Sequence, residues 1–261
     1  MFKLLKIEIV MQREVLLVEF KRGQFFLNGK HSSEFDVYIR EKPERLSAGR
    51  VIELRERMGN DSIVVDFAYY KNVERTITCY AKAQDLQDVT FLEDEISLWL
   101  DMENYSDFIV YFDEDYVYQA IVISPPKFTG TRKNGVLIPF EFTVSIRPFK
   151  KNVAGKHWVS NPKQLINPEK YSSEPIIQIW GSGDISFFIN DQEYVLKAID
   201  GDIIIDSEKQ EAYRKSGGTF EILDHKTLFK DYPILKNGKN DFRWTGKVTE
   251  FKVQPNWRRK V

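Results

Sequence analysis

A single cysteine, only three histidines and no long apolar run limit what this 261-residue sequence can do. The lone thiol, Cys79, excludes an intramolecular disulfide and any thiolate metal cluster, and it fits folding in a reducing cytoplasm. Its setting, Thr76-Ile77-Thr78-Cys79-Tyr80, alternates like a strand, so it reads as a buried, inert thiol and not as a nucleophile. His31, His157 and His225 are scattered, without the His-x-x-x-His or His-x-His spacing that brings two imidazoles onto one metal. One-sided charge is missing too. A net charge of -1 removes any global attraction to nucleic acid or an anionic membrane, and Arg258-Arg259-Lys260 reads as a solvated basic run. The first twenty residues are broken by Lys3, Lys6, Glu8, Arg13, Glu14 and Glu19, so neither a cleavable signal nor a membrane span is expected.

What is present favours strands. Hydrophobic residues make up 42% of the chain and aromatics 14%, with nineteen Phe and twelve Tyr, whose flat rings pack well on a pleated surface. Asn28-Gly29 predicts a tight hairpin between short strands in residues 1–40, and Glu41–Gly49 reads as a loop. Ile63–Tyr70 and Arg75–Ala83 read as two strands around Lys71-Asn72. One helix is expected, opened by a Thr90/Glu93 capping box, with Leu92, Ile96, Trp99 and Leu100 on one face. Phe108–Phe112 and Tyr116–Ser124 flank an acidic turn. Pro125-Pro126 and Gly130–Gly135 interrupt the chain before a strand at Val136–Arg147.

The pattern divides the chain into an N-terminal domain over 1–149, a linker over 150–170 and a terminal β-sandwich over 171–261. The linker assignment rests on Asn152, Gly155, Asn161, Pro162, Asn167 and Pro168. Beyond it, short runs of period two recur: Ile176–Trp180, Ile185–Asn190, Tyr194–Ile199, Ile203–Asp206, Glu211–Lys215 and Thr219–Leu223. Turns are expected at Gly181-Ser182-Gly183, Asn190-Asp191, Asp200-Gly201-Asp202 and Ser216-Gly217-Gly218, and the last two strands pivot on Gly246.

Catalytic material is thin. Asp113-Glu114-Asp115 and Asp200-Gly201-Asp202 offer carboxylate pairs for hydrolysis or calcium, but both stand where hairpins need turn residues. Gly181-Ser182-Gly183 lacks the Gly-Lys-Ser/Thr and the helix of a phosphate loop. No catalytic residue, cofactor-binding residue or metal ligand is therefore assigned. Trp180 and Trp244 are the candidates for stacking a sugar ring; alternation leaves Trp180 open between core and surface, and Trp244 and Trp257 read as packing anchors.

The run Pro175-Ile176-Ile177-Gln178-Ile179-Trp180-Gly181-Ser182-Gly183, with Ile189-Asn190 and Ile203-Ile204-Ile205-Asp206-Ser207-Glu208, resembles the distal tail protein family of long-tailed phages. So do Tyr232–Asn240, Trp244-Thr245-Gly246 and Pro255-Asn256-Trp257-Arg258, while Phe26-Leu27-Asn28-Gly29 and the stretch from Tyr69 match more loosely. The chain keeps Asn237-Gly238-Lys239-Asn240 where that family often has Pro-Gly before Asn. The resemblance implies a mainly β protein: an N-terminal β-sandwich belt domain with one helix that closes into a six-membered ring, and a C-terminal galectin-like β-sandwich. It implies a structural, non-enzymatic hub at the virion tail tip, assembled in the bacterial cytoplasm. Its partners would be other copies of itself, the tail tube protein, and the tail-associated and receptor-binding components. The competing reading is a lectin-like sandwich that contacts cell-surface glycans; a glycosidase ranks below both.

Overall fold

A computed structural model describes residues 7–11, 14–18, 20–130 and 135–261. The protein is mainly β, with one α-helix among the described residues, and it divides into two compact units. The first unit holds the chain up to Lys150 together with Lys260 and Val261; the second runs from Lys151 to Arg259.

In the first unit, β1 (Ile7–Met11) pairs with β2 (Glu14–Val18). The Asn28-Gly29 turn, with Asn28 at φ 49°, joins β3 (Phe25–Leu27) to β4 (Lys30–His31) as expected. Then follow β5 (Val37–Ile39), β6 (Arg50–Arg57), β7 (Asn60–Tyr70), β8 (Val73–Lys82) and α1 (Asp88–Leu100). The unit continues through β9 (Ser106–Val110), β10 (Tyr116–Phe128) and β11 (Leu137–Ile146), and the boundary between the units falls inside β12 (Phe149–Asn152). The main sheet has the order β4-β3-β9-β10-β11-β8-β5. Strict alternation in β8 turns Val73, Ile77, Cys79 and Ala81 into the core and Glu74 and Thr76 outward, because successive side chains leave a strand on opposite faces.

Helix α1 lays Ile96, Trp99 and Leu100 into that core, with Leu92 packed at its margin. It starts two residues before Thr90, so the capping box does not form. Asp85 takes the role instead, its Oδ1 accepting from the backbone N–H of Gln87 at 2.8 Å and of Asp88 at 2.9 Å. Trp99 then ties the helix to the first hairpin. Its ring stacks on Phe35 at 4.7 Å and Phe25 at 5.4 Å, and its indole N–H donates to the Leu27 carbonyl at 2.8 Å. Strand β10 passes straight through Pro125-Pro126. Two register shifts against β11 absorb the prolines, which lack a ladder N–H. Of the interruption expected at Gly130–Gly135, residues 131–134 lie outside the described residues.

The second unit contains β13 (Val159–Ser160), β14 (Gln164–Asn167), β15 (Ile176–Ile189), β16 (Gln192–Asp206), β17 (Glu211–Ser216), β18 (Thr219–Ile222) and β19 (Gly238–Gln254). β20 (Arg258–Lys260) ends the element order. The sheet runs β13-β19-β15-β16-β17-β18, with β14 also on β19, and curls over one core that includes Ile179, Phe187, Leu196, Ile205 and Phe251. Three expected turns are absent as turns. Gly181-Ser182-Gly183 and Asp200-Gly201-Asp202 lie inside β15 and β16, paired as Gly181 with Gly201 and Ser182 with Asp200, and Gly246 lies inside β19. These glycines bend long strands without ending them. A Cβ on Gly246, which sits at φ +97°, would come within 2.6 Å of the Asp184 carbonyl oxygen, and one on Gly181 would overlap the Lys247 carbonyl.

Residues 150–170, where the sequence suggests a linker, carry a 3-10 turn at Val153–Lys156 and the two short strands β13 and β14, both paired with β19. Their asparagines hold backbone rather than marking a flexible joint. Asn152 Oδ1 accepts from Ala154 N at 2.9 Å, Asn161 Oδ1 from Phe251 N at 3.0 Å, and Asn167 Oδ1 from Glu169 N at 2.9 Å.

Trp257 is 6% exposed and belongs to the second core, whereas Trp244 is half-buried and stacks on Phe251 with ring centroids 4.7 Å apart. Urea titration should therefore show Trp257→Ala losing about 3–5 kcal/mol, the range for truncating a buried aromatic, with Trp244→Ala losing less. Equal losses would contradict the difference in burial.

Candidate assembly surface

The residues that sequence inspection singled out for chemistry are spread apart and spent on structure. Asp113 forms a partly buried ion pair with Lys150 and accepts a hydrogen bond from the Tyr118 hydroxyl. Lys150 also lies 4.1 Å from the Tyr116 ring centroid. Burial, then the Asp113 hydrogen bond, pushes the Tyr118 pKa well above its usual value; burial and Asp115 raise that of Glu114. Asp202 pairs with Arg214 at 3.2 Å, and the same guanidinium donates to the carbonyls of Asp202 and Asp200. His31 caps the turn Ser32–Phe35, and burial lowers its pKa; His157 and His225 are exposed. Among the described residues no three His, Cys, Asp or Glu side chains converge on a point that could hold a metal. No helix among them is long and apolar enough to cross a membrane.

Each of the two stacking candidates is half-buried and has one ring face engaged. Lys252 Nζ stands 4.8 Å above the Trp180 ring, and Trp244 lies flat on Phe251.

The feature the sequence did not disclose is the hairpin of β6 and β7. It forms a two-stranded sheet that pairs with no other strand among the described residues. Opposed residues share a face, so the register puts Ile52, Leu54 and Val64 on one side and Ile63 and Val65 on the other. Leu54 is 61% exposed, Val64 59%, and Met58 at the tip is fully exposed. Apolar side chains thus stand in solvent on both faces of a ribbon whose two outer edges are unpaired. An isolated two-stranded ribbon is marginally stable in water, and an uncovered apolar edge strand invites another chain.

Polar contacts keep the ribbon in register meanwhile. Arg50 bridges to Asp66 at 2.5 and 2.7 Å and to the Tyr70 hydroxyl at 3.2 Å, and Arg57 Nε donates to the Asp61 carbonyl at 3.1 Å. The Arg50 hydrogen bond, followed by that from Ala68 N, lowers the Asp66 pKa. The weak signal in the sequence was the apolar set Val51, Ile52 and Leu54 within Arg50–Arg57, concealed because charged residues fill the other five positions.

Comparisons with known proteins place this architecture. No sequence-family profile matches the chain, and no curated protein matches it. Among solved structures, the Dit protein of phage SPP1, described as a paradigm of the hub adsorption apparatus in phages infecting Gram-positive hosts, superposes with a TM-score of 0.68. The match is 10% identical in sequence and covers 89% of this chain and 98% of that one. A chain of the phage P2 baseplate in its activated conformation with calcium matches with a TM-score of 0.54 and 12% identity, over 92% of this chain and 99% of that one. The strontium form of the same baseplate gives the same values. At these identities the likeness is one of fold, the fold that this chain shares with the SPP1 Dit protein.

Cys79 is fully buried on β8, and desolvation raises its thiol pKa well above the usual value. Native protein should resist a thiol-reactive disulfide reagent at neutral pH and label once denatured. Labelling of the native protein at the rate of a free thiol would show that β8 opens.

Proposed function

We propose that this chain is a structural component of a long-tailed phage tail tip. In this reading six copies close into a ring that joins the tail tube to the baseplate or tail-associated protein, and the ring serves as the hub for receptor-binding components. The first unit acts as the belt and the second as a peripheral sandwich. The work is geometric and involves no turnover of substrate. The protein is made and assembled in the host cytoplasm and ends in the virion.

The observation that carries the reading is the uncovered hairpin β6–β7. A second copy is the occupant that suits it. A ring formed by rotation needs each subunit to present two different complementary surfaces, and closure leaves none of them free. A ribbon with apolar groups on both faces and two open edges contacts neighbours on both sides at once, which a single flat patch cannot do. The exposed charges Arg50, Glu53, Arg55, Arg57 and Asp66 interleave with the apolar groups, giving a mixed rim that keeps the lone subunit soluble. The fold shared with the SPP1 Dit protein supports the same reading, since that protein is itself described as part of a hub.

Native mass spectrometry should find six copies of the 30.7 kDa chain, about 184 kDa, either alone or with tail partners present. Leu54→Lys combined with Val64→Lys should abolish that species. Both side chains are exposed in the subunit, so its unfolding free energy should stay within about 0.5 kcal/mol of the parent per substitution. Monomer alone under every condition, partners included, would sink the proposal.

A further inference from the structure

We infer that the second unit carries a binding groove for a neutral saccharide, at the end of the sandwich where β15 turns into β16. This goes beyond the hub reading and does not depend on ring formation. The groove encloses about 710 Å³, within the usual range for small-ligand sites and roomy enough for one or two sugar rings. It is walled by the Asn190-Asp191 turn, the start of β16, Ser207 just past the end of β16, and the segment Lys230–Lys236.

Three properties of the lining point to a polyol. The first is an aromatic and apolar wall: Tyr232 with Ile234, which is 45% exposed, backed by the core residue Tyr194 at 3%. Tyr232 is braced edge-on by Phe229 at 5.4 Å, and its hydroxyl reaches Asp224 at 3.4 Å, so its ring is held in place before a ligand arrives. Rigid aromatic surface next to polar rims suits the apolar face and hydroxyl edge of a pyranose. The second is the charge balance. Carboxylates Glu174, Asp191 and Asp231 share the lining with Lys230 and Lys236 and with the amides of Gln192 and Gln210, Glu174 being ion-paired with Arg258 at 2.7 Å. Donors and acceptors of both kinds ring the space without a cationic excess, which disfavours a phosphate or sulfate and suits hydroxyl groups that donate and accept at once. The third is Ser207. It lines the groove, is only 4% exposed, and its hydroxyl has no hydrogen-bond partner. A buried hydroxyl without a partner carries a desolvation cost, and a ligand hydroxyl would relieve it.

The site differs from the one suggested by the tryptophans. Trp180 pairs with Glu250 and Asp202 on β19 and β16, lines a separate depression with Thr249, and lies beneath Lys252. This separation makes the inference testable with the full chain. An array of neutral hexose and N-acetylhexosamine oligosaccharides, with sialylated and phosphorylated counterparts, should return neutral glycans, and calorimetry with the best of them should give a dissociation constant. Gln192→Ala with Asp231→Ala, both at exposed positions, should weaken binding at least tenfold. Ser207→Ala should weaken it while leaving the melting temperature equal or higher. Trp180→Ala should leave affinity unchanged. The inference falls if no glycan is retained, or if only charged glycans are. It also falls if the groove variants bind as the parent does, or if binding is lost with Trp180→Ala alone.

Discussion

The second unit depends on one close approach: backbone against backbone where β15 and β19 cross the bend in the sheet. At Gly246 the carbonyl of Asp184 occupies the space a side chain would need, and at Gly181 the carbonyl of Lys247 does the same. No other residue type fits such a contact without moving a strand. The bend allows strands of 14, 15 and 17 residues to curl over one core, so Ile177 and Ile179 on one side of it and Phe187 and Ile189 on the other bury into the same cluster. A flat sheet of that length would leave one end of its apolar face in water.

The first unit uses its apolar residues differently. The aromatic lock of Trp99, Phe35 and Phe25 and the partly buried Lys150–Asp113 pair fix its core, while the β6–β7 ribbon keeps Leu54, Met58, Val64 and Phe67 outside. Hydrophobic burial drives association as it drives folding. Side chains withheld from one are available to the other.

Composition and alternation disclosed much of this. The β class, the single helix with its buried face, the Asn28-Gly29 hairpin and the packing of Trp257 follow from local patterns that tertiary context did not override. The misreadings share a cause. Glycine clusters at Gly181, Gly201 and Gly246 carry turn chemistry, and sequence does not distinguish a reversal from a bend when both need the same backbone freedom. Helix α1 starts early because Asp85 caps from outside the helix, a contact with no fixed spacing. The asparagines of 150–170 mimic a linker because the same side chains that break regular structure also hydrogen-bond the backbone of a packed one. The groove by β16 was invisible because its lining comes from segments as distant as Glu174 and Lys236, and each residue is unremarkable alone.

The first unit is not one continuous stretch of chain. Lys260 and Val261 belong to it, with the Val261 carbonyl accepting from Ala48 N at 3.2 Å and Ser47 Oγ at 2.9 Å, and its N–H donating to Pro148 at 3.0 Å. A ribosome making this protein from its amino end must therefore emit the whole second unit before the first can be finished. Translation itself becomes a timer, because the first unit lacks the contacts of Lys260 and Val261 until the second unit has been made.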